Sequence, residues 1–227
     1  MLSNIRFIFR ALSKSPAFTV TSILTLALGI GANTAIFSVI DAVLLQPLPY
    51  RDSSRLVELQ LTSAQYPEMA VAYPEYLDWR ANQRSLIDIA AYRIDHFNLT
   101  GGKEPERFRG AYVSASYFSV LGIRPELGRV FSEADDRKDS EPAVILGNKL
   151  WKKRFGADPD IIGRKLVFND ISYEVIGVAS IRNVTPENTD LYVTFGPMSD
   201  RPPLSERGSH PGIRAIGRLR SGVSMAQ

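Results

Sequence analysis

The sequence predicts an α+β fold, a single N-terminal transmembrane helix followed by a mixed α+β extracytoplasmic domain, and three observations carry that reading. No charged residue lies between Lys14 and Asp41. After residue 50, stretches that alternate apolar and polar side chains interleave with short stretches of helical spacing. Turn signals such as Gly101-Gly102 and Asn169-Asp170 punctuate them, the pattern of helices and hairpins sharing one domain.

The first fourteen residues contain Arg6, Arg10 and Lys14 and no acid, and those three charges account for the whole net charge of +3. The remainder has no basic surplus, so no phosphate-tracking surface is expected and nucleic acid is excluded as a partner. With 44% hydrophobic residues the chain has enough apolar material for a packed core. The lack of cysteine excludes disulfides, thiolate metal sites and a cysteine nucleophile.

Residues 17–40 read AFTVTSILTLALGIGANTAIFSVI. As a helix this run rises roughly 36 Å, enough to cross a hydrocarbon core of about 30 Å. A cleavable signal peptide also opens with basic residues, but its apolar region covers only about 7–15 residues, so a retained anchor is favoured over a secreted chain. Basic residues precede the span and none follows in Pro47-Leu48-Pro49-Tyr50. The positive-inside rule therefore puts the N-terminus in the cytoplasm and everything after residue 46 on the far side. Arg6, Arg10 and Lys14 share one helical face beside Ile5, Ile8, Phe9 and Leu12. Such a segment lies along the cytoplasmic membrane surface, or simply supplies topogenic charges. Within the span, Ala27, Gly31 and Ala35 recur every four residues, with Gly29, Ala32 and Asn33 read as flanking them. Small residues at that spacing admit a second helix, and Asn33 is expected to hydrogen-bond across the contact. Gly29-Ile30-Gly31 mimics the start of a dinucleotide fingerprint, but no strand precedes it and it is discarded.

In the soluble region, residues 55–61 alternate with Val57, Leu59 and Leu61 on one side and predict a half-buried strand. Pro74 suits the first turn of a helix, PEYLDWRANQ, in which Tyr76, Leu77 and Arg80 share a side. Strands are expected at 87–93, at 97–100 leading into Gly101-Gly102, and at 106–113. Ser114 is placed to cap a helix running to Leu121, Gly122 to end it and Pro125 to prevent its return. Residues 143–146 read as a buried strand. Asn148 opens NKLWKKRFG, where Leu150, Trp151 and Phe155 face the core, Lys152, Lys153 and Arg154 stay solvated, and Gly156 stops the helix. Asp158-Pro159 starts a helical turn before Gly163, and 165–168 pair with 172–178 across Asn169-Asp170. Residues 213–219 form a last strand, Gly222 breaks it and Ser224 suits a helix cap, yet the chain ends at Gln227. The expected division is thus an amphipathic segment and span in 1–46 and a domain in 47–227 that reads as truncated at its C-terminus.

Catalytic constellations are not evident. His96 and His210 sit in plain polar contexts and no Gly-x-Ser-x-Gly elbow occurs. Glu133, Asp135 and Asp136 lack the spacing and central glycine of a calcium loop and read as a solvated loop. Glu75 and Asp78 read as a polar helix face rather than an acid and a base. No enzymatic activity, metal or cofactor is expected.

The opening MLSNIRFIFRALSKSPAFTVTSILTLALGIGANTAIFSVIDAVLLQPLPY resembles the start of MacB/FtsX-type ABC-transporter permeases, in particular the acidobacterial duplicated orphan permease group. Residues 26–50, LALGIGANTAIFSVIDAVLLQPLPY, carry that likeness most specifically. YPEYLDWR (73–80), YFSVLGIRPELGRVF (117–131), LWKKRFGADPDIIGRKL (150–166) and YEVIGV (173–178) resemble the same group's periplasmic core domain. The resemblance implies a bacterial inner-membrane location with residues 47–227 in the periplasm, and a non-catalytic permease part that transmits ATPase-driven movement. The resemblance implies an ABC ATPase and further permease helices as partners; the membrane follows from the span, and the stripe of Ala27, Gly31 and Ala35 suggests self-association or a partner permease without choosing between them. The family's permeases continue into further membrane helices. No Gly-x-x-x-x-Gly-Lys-Ser/Thr loop occurs here, so ATP is expected only on a separate ATPase subunit. The competing reading is an anchored periplasmic binding module that recognises a ligand or protein unaided.

Overall fold

The computed structural model describes residues 14–40, 50–62, 68–100, 106–180, 186 and 188–223. The chain forms two compact units, Met1–Leu48 and Pro49–Gln227.

In the first unit, helix α1 runs over Pro16–Ile40. Pro16 opens it at a position where a missing N–H forfeits no bond. The hydroxyls of Thr21, Thr25 and Ser38 donate to the carbonyls of Ala17, Thr21 and Thr34, one turn back, at 2.9, 2.8 and 2.8 Å. Hydroxyls satisfied within their own helix can enter hydrocarbon without leaving an orphaned donor. Apolar side chains point outward on every side, and Pro16–Val39 is long and apolar enough to cross a membrane.

The second unit is built on one sheet. Its strands are β1 (Leu56–Leu59), β2 (Leu86–Thr100), β3 (Glu106–Val113), β4 (Pro125–Gly128), β5 (Ala143–Gly147), β6 (Lys165–Phe168), β7 (Ile171–Ala179), β8 (Leu191–Thr194) and β9 (Arg214–Leu219). Helices α2 (Tyr73–Asn82), α3 (Tyr117–Leu121) and α4 (Asn148–Phe155) connect them. The strand order is β1-β9-β2-β3-β8-β5-β7-β4, with β3–β8 and β5–β7 parallel. Because β6 pairs with both β2 and β7, the strands β2, β3, β8, β5, β7 and β6 close into a ring.

Side chains that alternate along these strands fill two cores. Val144 and Leu146 of β5 join Phe97, Tyr112, Phe168 and Val193 in the first, onto which α2 sends Tyr76 and α4 sends Leu150 and Trp151. Ile145 points the other way and joins Tyr92, Val113 and Tyr192 in the second, which α3 covers with Tyr117, Phe118, Val120 and Leu121. Gly110 on β3 makes room for Phe97, since a Cβ there would lie 2.4 Å from the Phe97 ring.

Strands β3 and β5, helix α4 and the β6–β7 hairpin lie where the pattern places them. Asn169 and Asp170 take φ of 47° and 63°, the left-handed pair of a tight hairpin turn. Gly122 and Gly156 end α3 and α4 in the left-handed conformation. Other expectations are corrected. Residues 87–93 and 97–100 are one strand, β2, which runs unbroken through Ile94-Asp95-His96 because β3 pairs it from Tyr92 to Leu99. Ser114 does not cap α3: its hydroxyl accepts the Ala91 N–H at 3.0 Å and meets the Ser116 hydroxyl at 3.0 Å, while the helix starts only at Tyr117. Pro125 opens β4, an edge strand paired only with β7, where its missing N–H is tolerated. The unanticipated β8 is short and buried at every position, so it shows no alternation. Leu77 of α2 is 46% exposed and does not share the burial of Tyr76. Ser224 and the Gly101-Gly102 turn lie outside the described residues.

Phe168 is fully buried on β6, with ring centroids 6.4 Å from Phe97 and 6.2 Å from Tyr173. Phe168→Ala should lower the unfolding free energy by about 3–5 kcal/mol. Val167→Ala, at a partly exposed position of the same strand, should change it by less than about 1 kcal/mol. Urea denaturation of the two variants checks the contrast.

Candidate functional site

Two regions can do more than hold the fold: the surface of α1, and the polar clusters and clefts of the domain. On α1, Ala27, Gly31 and Ala35 are exposed and recur at one-turn intervals. A Cβ added at Gly29 or Gly31 would meet nothing within 4 Å, so both glycines leave open space for a neighbour. Asn33 does not flank this stripe. At 100° per residue it lies about 160° round from Gly31, where it continues a second stripe with Thr25 and Gly29. Helix α1 thus carries small or polar residues on two faces. Arg6 and Arg10 lie outside the described residues, and Lys14 is exposed just ahead of the helix.

In the domain, Arg80 of α2 reaches two acids at once, Asp88 of β2 at 2.8 and 3.0 Å and Glu133 at 2.6 and 3.2 Å. Three residues beyond Glu133, Asp136 accepts the backbone N–H groups of Ala115 at 2.9 Å and Gly196 at 2.7 Å. The loop approaches so closely that a Cβ at Gly196 would sit 2.2 Å from the Asp136 carbonyl carbon. Asp136 is therefore not part of a solvated loop; it ties the start of α3 to the end of β8. Burial pushes its carboxyl up to about 6 against the opposing pull of those two N–H bonds. Its neighbour Asp135 is held down to about 2 by the Arg129 guanidinium, at 2.6 and 2.8 Å, and by Ser132.

Glu75 and Asp78 are committed to structure: Glu75 accepts the Ala72 N–H at 3.1 Å at the head of α2, and Asp78 pairs with Arg207. His96 and His210 are exposed. Among the described residues no group of three His, Asp or Glu side chains is disposed to hold a metal ion. What the surface does offer is concavity. A cleft of about 590 Å³ has Met69, Tyr92 and Ile213 in its wall and Glu58, Arg93 and Arg214 among its charges. Arg93 lies over the Tyr112 ring at 4.9 Å and pairs with Asp95 at 2.9 Å, while its buried Nε finds no partner among the described residues. A groove of about 490 Å³ runs beside α2 against Leu59, Trp79, Leu86 and Ile89. Neither holds a nucleophile beside a base among its lining residues. The Tyr112 ring under Arg93 and the Ala115 and Gly196 amides around Asp136 come from segments distant in sequence, so no local signal reveals either environment.

A family model described as the MacB-like periplasmic core domain matches residues 19–227. The chain is 33% identical over 85 residues to the macrolide export ATP-binding/permease protein MacB of Neisseria gonorrhoeae, a stretch covering 37% of this chain and 13% of that protein. It is 30% identical over 100 residues to the pyoverdine export ATP-binding/permease protein PvdT of Pseudomonas savastanoi pv. phaseolicola, covering 43% and 13%. The matches thus span about an eighth of these relatives' length, 13% in each case. The fold is shared with the periplasmic region of MacB from Actinobacillus actinomycetemcomitans, at a TM-score of 0.57 and 17% identity over 75% of this chain and 76% of that one. It is also shared with the extracellular domain of the ABC-type transporter YknZ from Gram-positive bacteria, at 0.53 and 16% over 74% and 84%.

The two adjacent acids make opposite pH predictions. Folding raises the Asp136 value above its ordinary 3.8, so its contribution to stability is fully present below 3.8 and is lost as pH rises through about 6. Asp135, lowered by folding, contributes above 3.8 and loses that contribution as pH falls through about 2. The unfolding free energy should therefore drop by about 2 kcal/mol between about pH 4 and 7. Asp136→Asn should flatten that slope in urea denaturation across the same range.

Proposed function

The chain belongs to the family of the MacB-like periplasmic core domain, and from that membership we propose that it is a membrane-anchored, non-catalytic part of a MacB/FtsX-type permease. In this reading a separate ABC ATPase supplies the energy, and α1 with the periplasmic domain passes the resulting movement across the inner membrane. The observation that carries it is the joining of the apolar span Pro16–Val39 and the family's domain in one chain. The names of the relatives, which pair an ATP-binding part with a permease, support an ATPase partner. The two small-residue faces of α1 support docking against other membrane helices or a second copy, because a lone anchor has no use for them. Arg6, Arg10 and Lys14 support a cytoplasmic N-terminus. Residues 26–50 support the finer placement in the acidobacterial duplicated orphan permease group. A second reading, an anchored periplasmic module that binds unaided, draws on the cleft of about 590 Å³. Purification of the chain from its native membrane separates the two: recovery with an ABC ATPase supports the permease part, and recovery alone supports the module.

Alkaline phosphatase fused after Gln227 should be active in a bacterial host, with the full-length, uncleaved product in the membrane fraction. An inactive but stable fusion overturns the periplasmic placement. Gly31→Leu should weaken α1 self-association or docking by about 1–2 kcal/mol, read in a membrane two-hybrid assay.

A further inference from the structure

Where the chain leaves residue 49 and joins the domain, it is held by arginines. Tyr50 is buried in the second core. Asp52 follows in the left-handed region with φ 48°, a short 3-10 turn covers Ser53–Arg55, and β1 begins. Strand β1 is four residues long and its ladder is made with β9, Leu56 opposite Arg218. At that end of the ladder Arg55 donates from Nε to the Leu219 carbonyl at 3.0 Å, with Nη2 on the same oxygen. From β9, Arg218 donates from Nε to the Val120 carbonyl of α3 at 2.7 Å and from Nη1 to the Asp52 carbonyl at 3.3 Å. Arg220 donates to the Leu86 carbonyl of β2 at 2.8 Å.

Arg218 is an expensive residue to keep. It is 8% exposed, and among the described residues its buried Nη2 has no partner and no carboxylate is in ion-pair contact with it. Burial, with Arg55 nearby, lowers its pKa from the ordinary arginine value. What it secures is a junction of three segments: the stretch 50–55, the end of α3, and β9. The geometry of pulling explains the value of that junction. A displacement arriving along the chain loads Tyr50 first and, where it is directed away from the sheet, then peels β1 from β9 starting at Leu56, so that the ladder bonds are loaded one after another. A four-residue strand resists that poorly by itself. The arginine bonds lie between Tyr50 and the first pair of that ladder, Leu56 with Arg218.

We propose that Arg55 and Arg218 form a force latch that fastens segment 50–55 to β9, so that displacement of the chain leaving the membrane helix moves β9, α3 and β2 together instead of stripping β1 from the sheet. The latch rests on the reading of the chain as a transmitter of movement. All of its acceptors are backbone carbonyls, so it is not released by protonation of a carboxylate.

The chain has no cysteine, so pulling handles can be placed at will. In full-length chain held in nanodiscs, Gln46→Cys with Lys149→Cys loads segment 50–55, and Glu141→Cys with Glu206→Cys loads the sheet without it. With the first pair in optical tweezers, the otherwise unaltered chain should open in one cooperative event. Arg218→Met should add an earlier, low-force step that releases residues 50–59, its equilibrium population raised by about a hundredfold. With the second pair, Arg218→Met should show no such early step. An unchanged trace with the first pair, or equal weakening in both geometries, overturns the latch in favour of ordinary core packing. Should Arg218→Met not fold, Arg55→Gln, which removes the Leu219 contact at a half-buried position, is judged by the same two outcomes. The pulling needs no ATPase, so failure of the latch and failure to recover an ATPase partner are separate results.

Discussion

Strand β6 is four residues long, yet it pairs with β7 along its whole length and with β2 at Leu99 and Thr100, and the domain depends on that double pairing. Without it the end of β2 and the first half of one side of β7, residues 171–174, are open edges. The turn after β6 helps to make the closure. Asn169 sits in the left-handed region that the tight hairpin needs, and its side chain also clips onto β2: Oδ1 accepts the Asn98 N–H at 3.0 Å and Nδ2 donates to the His96 carbonyl at 3.2 Å. One residue therefore satisfies the local turn and the long-range closure together. The aromatic contacts of Phe97, Tyr112, Phe168 and Tyr173 follow from the ring, since β2, β3, β6 and β7 each supply one of them.

The legible parts of the fold were those written in local chemistry. Asn169-Asp170 demands a hairpin turn, Gly156 demands a helix end, and the apolar spacing of Leu150 and Trp151 shows which side of α4 is buried; each signal lies within a few residues of what it specifies. Strand β8 was not legible because LYVT is buried on both faces, and strand β4 because its proline is harmless only at an edge that tertiary structure creates. At the candidate sites the same distinction holds. The stripe of Ala27, Gly31 and Ala35 is a spacing and can be read directly, whereas the place of Asn33 needed the helical angle as well as the nearness in sequence. Asp135 and Asp136 look alike as letters. Arg129, beside one, and the amides of Ala115 and Gly196, around the other, drive their acidities apart.

The arginines of the domain divide by what they bind. Arg80, Arg129 and Arg154 face carboxylates, and Arg129 and Arg154 do so at exposed positions where such pairs add little and are screened by salt. Arg55, Arg218 and Arg220 bind carbonyl oxygens instead, and all three lie around one end of β9. A guanidinium that gives its hydrogens to backbone carbonyls fixes chain to chain, and neither salt nor mild acid removes its acceptor. In sequence Arg218 is indistinguishable from the solvated arginines elsewhere; only its burial on β9 separates it.

That arrangement bears on whether the domain is tethered or driven. A tether has to survive only thermal motion, and a junction packed throughout with apolar side chains, its carbonyls bonded elsewhere, would supply that with no desolvated charge; Arg218→Met alone makes no such junction, because it strips the Asp52 and Val120 carbonyls of their donor. Apolar packing is nonspecific in direction, however, and it yields gradually when one segment slides over another. Directed hydrogen bonds from one guanidinium to Asp52 and Val120 hold three segments in a single relative position until they break. A domain whose first strand is a four-residue edge strand gains from such a fixture if displacement has to arrive at β9 undiminished, and gains little from it as a passive anchor.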